Sequence, residues 1–317
     1  MKKFFAIFFS LLGLVLAAGH PEFKHDVSGD KKPWTNENFP KRSNSNGEFS
    51  FAVLPDRSGG IRRGVFPRAI DMLNKLQPEF VVSVGDQVGG IFRKNQRHDA
   101  LRAQWKEVRA MTEKLTMPFF YLVGNHDIGR KRAQYPEAHE ISSAVWKEQF
   151  GPTYYSFIYR DPLFILLDSM SGKDGRKPSC SITDEQMKWA IATLRKNTKV
   201  RWTFVFLHAP TTMKTRQFLR IEKELTKRKY TVFMGDWHRY IKFSRYGRNY
   251  YVLATAGGVS KLRGKEYGEF DHVTWVTMTK DGPKVKNILL DGSELPEDVV
   301  TSANNKFPEQ GNYDIKK

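Results

Sequence analysis

Cysteine is almost absent: Cys180 is the only one in 317 residues, so no intrachain disulfide can form and stability has to come from a packed core. With no cysteine near residues 17 to 21, a lipid anchor through an N-terminal thioether is excluded as well. Acidic side chains are few, 34 against 52 Lys and Arg, which leaves a formal net charge of +18. Such a surplus favours anionic partners, whether phosphorylated molecules, nucleic acid or an acidic surface, and does not choose among them. Long apolar runs are missing after the first residues, so no later segment is expected to span a bilayer. What is present is ample apolar material, 40% hydrophobic and 13% aromatic, enough to bury a substantial core in one large domain or two ordinary ones.

The one long uncharged stretch is N-terminal. Lys2 and Lys3 precede Phe4 to Leu16, and the small residues Ala17, Ala18 and Gly19 follow. This layout reads as a secretory signal over residues 1–19, too short in its apolar part to serve as an anchor. The mature protein is therefore expected to be soluble and secreted or periplasmic.

Residues 20–48 are polar and turn-rich and read as an arm lying over the fold rather than a core element. From Phe49 short apolar runs alternate with helical stretches. "FSFAVLPD", "EFVVSVGD", "PFFYLVGNHD", "RWTFVFLHAP" and "YTVFMGD" read as strands. "VFPRAIDMLNKLQ", "RHDALRAQWKEVRAMTEKL", "TDEQMKWAIATLRKN" and "RQFLRIEKELTKRK" read as helices. Near-continuous apolar strands between helices predict a sheet covered on both faces. Three further segments read as hairpins, turning around residues 160–162, 246–248 and 280–283. The fold class is thus mixed α/β, with one domain over residues 49–292 and a C-terminal extension over 293–317.

The chemistry gathers at the carboxyl ends of the strands, where an open α/β sheet binds its ligands. In order these ends carry Asp56, Asp86, Asn125 with His126 and Asp127, His208, and Asp236 with His238. Each has an ordinary alternative, since Gly-Asp is turn chemistry, an aspartate can start a helix, and a histidine after a buried strand can be a satisfied core residue. All five fall at the same end of successive elements, however, and carboxylate, amide oxygen and imidazole together suit a pair of divalent cations such as Mn, Fe, Zn, Co or Mg.

The order and wording of these motifs, "GNHD" above all, resemble the calcineurin-like metallophosphoesterase superfamily, which includes purple acid phosphatases and many secreted phosphoesterases. The resemblance runs from about Phe51 to His238 and implies a four-layer αββα sandwich of two mixed sheets flanked by helices. It further implies hydrolysis of phosphate mono- or diesters by a metal-bound hydroxide at a dinuclear centre. Asp86 would bridge two metals; Asp56 and His238 would complete the first site, and Asn125, His208 and Asp236 the second. His126 would protonate the leaving oxygen or stabilise its charge, Asp127 or a backbone carbonyl would orient His126, and Arg57 and Asn125 would contact the substrate phosphate.

The match departs from the family pattern at Ser58, where a ligand histidine is common, at Gly89, where purple acid phosphatases supply a tyrosine, and at Asp236, where the family commonly has histidine. The first site is left with three side chains, and a carboxylate at 236 shifts preference toward Mn or Mg. Arg57 also reads as a charge standing in for a weakly held metal, or as plain surface. Basic residues follow nearly every tip (Arg62, Arg63, Arg93, Lys94, Arg97, Arg130 to Arg132, Lys214, Arg216, Arg239) and would rim the site, unless they belong to a generally cationic surface. Trp237, Phe92 and Tyr135 offer faces for stacking on a base. A phosphorylated small molecule or polyanion is the expected substrate. A polyanion binder without catalysis and a secreted nuclease acting on nucleic acid are the rivals.

Overall fold

The computed structural model describes residues 22–40, 47–91, 98–128, 136–172 and 180–299. The signal segment, the bases at 93, 94, 97 and 130–132, and Phe92 and Tyr135 lie outside the described residues. Among the described residues no helix is long and apolar enough to cross a membrane.

Strands β1 (Phe23–His25), β2 (Phe49–Leu54), β3 (Val81–Ser83), β4 (Phe119–Phe120), β5 (Tyr155–Tyr159), β6 (Leu163–Leu167), β7 (Thr203–Leu207), β8 (Tyr230–Met234), β9 (Ile241–Arg245), β10 (Arg248–Val252), β11 (His272–Met278), β12 (Pro283–Leu289) and β13 (Glu294–Pro296) form two sheets. Seven strands run in the order β1-β5-β6-β7-β8-β10-β9 and six in the order β13-β12-β11-β2-β3-β4. Both sheets are mixed, with β2, β3 and β4 parallel in one and β6, β7, β8 and β10 parallel in the other. The three expected hairpins are present as β5-β6, β9-β10 and β11-β12.

Alternation along the strands sorts side chains into layers. In β7, Phe204 and Phe206 face the other sheet, and Val205 and Leu207 face helices. Between the sheets lies a cluster dominated by phenylalanine, with Phe51 stacked on Phe80 at 5.2 Å and Phe157 on Phe164 at 4.7 Å. Outside the six-stranded sheet pack α1 (Val65–Leu76), α2 (His98–Thr112) and, beyond the four-residue α3 (Asn125–Ile128), α4 (Pro136–Phe150), through Phe66, Trp105 and Trp146. Outside the seven-stranded sheet pack α5 (Asp184–Lys196) and α6 (Arg216–Leu225), through Leu194 and Phe218. The result is the expected four-layer αββα sandwich.

The N-terminal segment differs from the expected overlying arm. β1 adds an antiparallel edge strand on β5, and Phe23, Trp34 and Phe39 are buried in the cluster between the sheets. Aromatic burial, with Trp34 bridging Phe120, makes the segment part of the core despite its polar composition. At the other end β13 pairs with β12, so the six-stranded sheet continues past residue 292.

Candidate metal centre

Because the parallel strands of the two sheets end on the same side of the sandwich, their tips meet. The tips are stitched together by backbone and carboxylate hydrogen bonds. Arg57 and Ser58 donate their N–H groups to the Asp86 carbonyl at 3.1 and 2.9 Å, Ala256 N–H to the Asp56 carbonyl at 2.9 Å, and Asp236 N–H to Asp56 Oδ2 at 2.9 Å. His126 N–H donates to Asp86 Oδ1 at 2.8 Å. Asp86, Asp236 and His238 take left-handed backbone angles, φ 57°, 69° and 51°. Three non-glycine residues held in that sparsely populated region mark a site where the fold overrides local preference.

All six side chains expected at the centre converge. Ligand atoms of Asp56, Asp86 and His208, all buried, lie within 4.8 Å of one another. His208 Nε2 sits 3.1 Å from Asn125 Oδ1, 3.4 Å from Asp86 Oδ1 and 3.5 Å from Asp236 Oδ1. His238 Nε2 sits 3.3 Å from Asp56 Oδ2. The groups thus fall into two sets that adjoin at Asp86: Asn125, His208 and Asp236 on one side, Asp56 and His238 on the other.

The histidines share one device. His208 Nδ1 lies 2.8 Å from the Val84 carbonyl, His238 Nδ1 2.6 Å from the Val259 carbonyl, and His126 Nδ1 2.9 Å from the Gly89 carbonyl. A carbonyl can only accept, so in each ring Nδ1 carries the proton and Nε2 faces the pocket. This is how proteins aim imidazole ligands at a metal. Asp56 Oδ1 is fully buried without a hydrogen-bond partner, a costly state for a carboxylate oxygen unless a cation satisfies it. The residues present therefore fit a divalent-metal centre.

The electrostatics agree. Burial raises the Asp56 carboxyl against the opposing pull of His208 and His238. Burial works the same way on Asp86, but His208 and His126 outweigh it and bring that group down to about 2. In His208 burial disfavours the charge, yet Asp86 and Asp56 overcome it and hold the imidazole well above its ordinary value. Its Nε2 faces three oxygens, those of Asn125, Asp86 and Asp236, an arrangement that favours positive charge at this point.

Two expected roles are corrected. Arg57 is buried at 4% exposure, not on the surface. One arm of its guanidinium donates to the Gln87 carbonyl at 2.9 Å, another pairs with Glu107 of α2, and the plane lies over Phe66. Packing against α1 and α2 makes it a brace for the first loop and not a phosphate ligand. Of the two groups expected to orient His126, Asp127 or a backbone carbonyl, it is a carbonyl, that of Gly89, that does so. Both Asp127 oxygens accept from backbone N–H groups, Oδ2 from Asp86 at 2.7 Å and Gly124 at 2.8 Å, Oδ1 from Gln87 at 2.8 Å and Val88 at 3.1 Å. Burial and the Asp86 charge push this acid up to about 7, while the Val88 and Gly124 amides oppose them.

The cationic rim is also reduced. Arg62 is tied to Asp271 at 2.7 Å and to the Gly258 carbonyl at 2.8 Å, and Arg216 pairs with Asp184 at 3.2 Å. Trp237 packs against the cluster under α5 and α6. Missed altogether was the loop after β10, "TAGGV" at 255–259, which braces Asp56 and holds His238. Its glycine pair was the available signal: a Cβ on Gly258 would stand 2.9 Å from His238 Cε1.

No curated protein sequence matches the chain. Among solved structures, the GAP50 anchor in the inner membrane complex of Plasmodium superposes with a TM-score of 0.52 at 13% identity, over 81% of this chain and 90% of that one. A putative 5'-nucleotidase from Staphylococcus aureus gives 0.45 at 13% identity over 83% of this chain, which spans 56% of the nucleotidase. The E. coli phosphoesterase Yfce gives 0.38 at 10% identity, over 78% and 96%. At these identities the likeness concerns the fold alone. The family pattern of calcineurin-like phosphoesterase, by contrast, matches residues 50–240, more than half of the chain and a span that includes Asp56 to His238. The protein belongs to the calcineurin-like phosphoesterase family.

Proposed function

We propose that the chain is an exported hydrolase that cleaves phosphate esters at a pair of divalent cations, one held by Asp56, Asp86 and His238, the other by Asp86, Asn125, His208 and Asp236. The observation that carries this reading is the convergence of carbonyl-locked imidazoles and buried carboxylates, including the unpartnered Asp56 Oδ1. Bound there, such cations supply charge stabilisation for the phosphoryl group and activation of the attacking water.

The chain's own groups do the rest. Asp56 and Asp86, both buried, would hold the cations where electrostatic attraction is stronger than in bulk water. His126 is the most open of the three pocket histidines, 21% exposed at its side chain, with Nε2 3.9 Å from Asp86 Oδ2. With Nδ1–H fixed on Gly89, its Nε2 is the atom that hands a proton to the leaving oxygen. Export rests on the basic, apolar and small-residue succession of residues 1–19.

A second reading, a polyanion binder on the same scaffold without turnover, is favoured by one observation: Ser58, at the position of a common ligand histidine, is buried with its hydroxyl unpartnered. Aryl phosphate hydrolysis with added Mn separates the two. Turnover abolished by Asp86→Asn supports the enzyme; no turnover in the wild-type protein with metal bound supports the binder.

A further inference from the structure

The outer layer opposite the phenylalanine core carries a feature that the metal centre does not use. Between α5 and α6 runs a groove of about 760 Å³. Met187 and Ile191 with the exposed Ala192 make an apolar floor, and five cations with a single carboxylate make the walls. That carboxylate, Glu224, is already shared between Arg195 at 3.3 Å and Lys227 at 2.9 Å. Lys188, Arg220 and Lys223 are exposed and have no acidic partner among the described residues. Arg220 and Lys223 stand three apart on α6, so like charges share a face of that helix at a cost to it, and Lys227 follows in the turn just past its end.

We propose that this groove docks an acidic amphipathic helix of a partner protein, its carboxylates on the basic walls and its apolar stripe on Met187 and Ile191. Charge complementarity fixes the sign of the partner. The concave apolar floor fixes its shape, as in other helix-in-groove recognition. A lipid surface fits less well, because interfacial helices project apolar side chains outward instead of recessing them. A nucleic-acid backbone gains nothing from an apolar floor. A second copy presenting the same face is repelled by it.

The test is fluorescence anisotropy with a labelled synthetic helix that carries leucines along one face and glutamates along the other. A scrambled peptide of the same composition, a DNA oligomer and phosphatidylserine vesicles serve as competitors. Saturable binding about tenfold tighter than to the scrambled peptide, weakened about tenfold by Lys188→Glu with Lys223→Glu, supports the proposal. Equal binding of the scrambled peptide, displacement by DNA or vesicles at equal charge, or unchanged binding by the double variant overturns it. Circular dichroism verifies that the variant is folded. Aryl phosphate turnover by the same variant stays at the wild-type level, so failure here is distinct from failure of the hydrolytic reading.

Discussion

Asp127 shows how a motif residue can serve a site without touching its ligands. Its two oxygens gather four N–H groups from the loop that carries Asp86 and the turn that carries His126. Asp127→Asn points an amide donor at backbone donors and is expected to cost about 1–3 kcal/mol, read by urea denaturation, together with weaker cation binding by calorimetry. His126 should behave differently. His126→Gln keeps a polar side chain but removes the proton donor, and is expected to lower kcat by about 10²- to 10⁴-fold while the metal content of the purified protein stays unchanged. Side-chain identity at these positions was legible in the sequence, since "GNHD" and "GDWH" state which groups arrive. Side-chain direction was not. Whether Arg57 turns toward a phosphate or toward Glu107 depends on where α2 packs, and the carbonyls that hold the three histidines carry no residue signature.

At the scale of elements, the junction between a strand and its loop decides whether a ligand arrives. Gly124 and Gly235 stand where any Cβ would collide with Asp86 Oδ1 and Asp56 Oδ1 respectively. Gly235→Ala, which asks for no unusual backbone angle, is therefore expected to displace the Asp56 carboxylate. The outcome is a stability loss of about 1–3 kcal/mol and a clear drop in cation affinity, measured by denaturation and titration calorimetry. The strands themselves were legible because apolar runs ending in Gly-Asp or Asn-His are both a burial pattern and a turn signal. β1 escaped because Phe23, Trp34 and Phe39 are scattered among Pro, Asn and Lys with no period of 2 to follow. The cluster they enter is built from aromatic contacts over long sequence distances, which no local window displays.

At the scale of the whole molecule, His272 is a buried histidine that works against acid stability. His272 in β11 is fully buried, with Nε2 accepting from Ala254 N–H at 3.1 Å, and burial outweighs its hydrogen bond to Asn287 and lowers its pKa to about 3. The unfolded chain takes up that proton from about pH 6.5 downward. The folded chain refuses it until near pH 3, so this group's contribution to stability is full above pH 6.5 and is lost as pH falls across that window. The expected slope is up to about 1.4 kcal/mol per pH unit. His272→Gln should remove this one-proton dependence, seen as a flatter difference in unfolding free energy between pH 6.5 and 4. Net charge was legible as a preference for anions but not as a place: Arg62 and Arg216 are engaged in ion pairs, while Lys188, Arg220 and Lys223, without an acidic partner among the described residues, lie on α5 and α6.

The central claim is that two cations sit side by side on Asp86. Anomalous diffraction from crystals soaked in Mn tests it most directly. The account predicts two peaks flanking the Asp86 carboxylate, one among Asn125, His208 and Asp236 and the other beside Asp56 and His238, both lost in Asp86→Asn. A single peak, or peaks elsewhere on the molecule with this pocket left without metal, would contradict it.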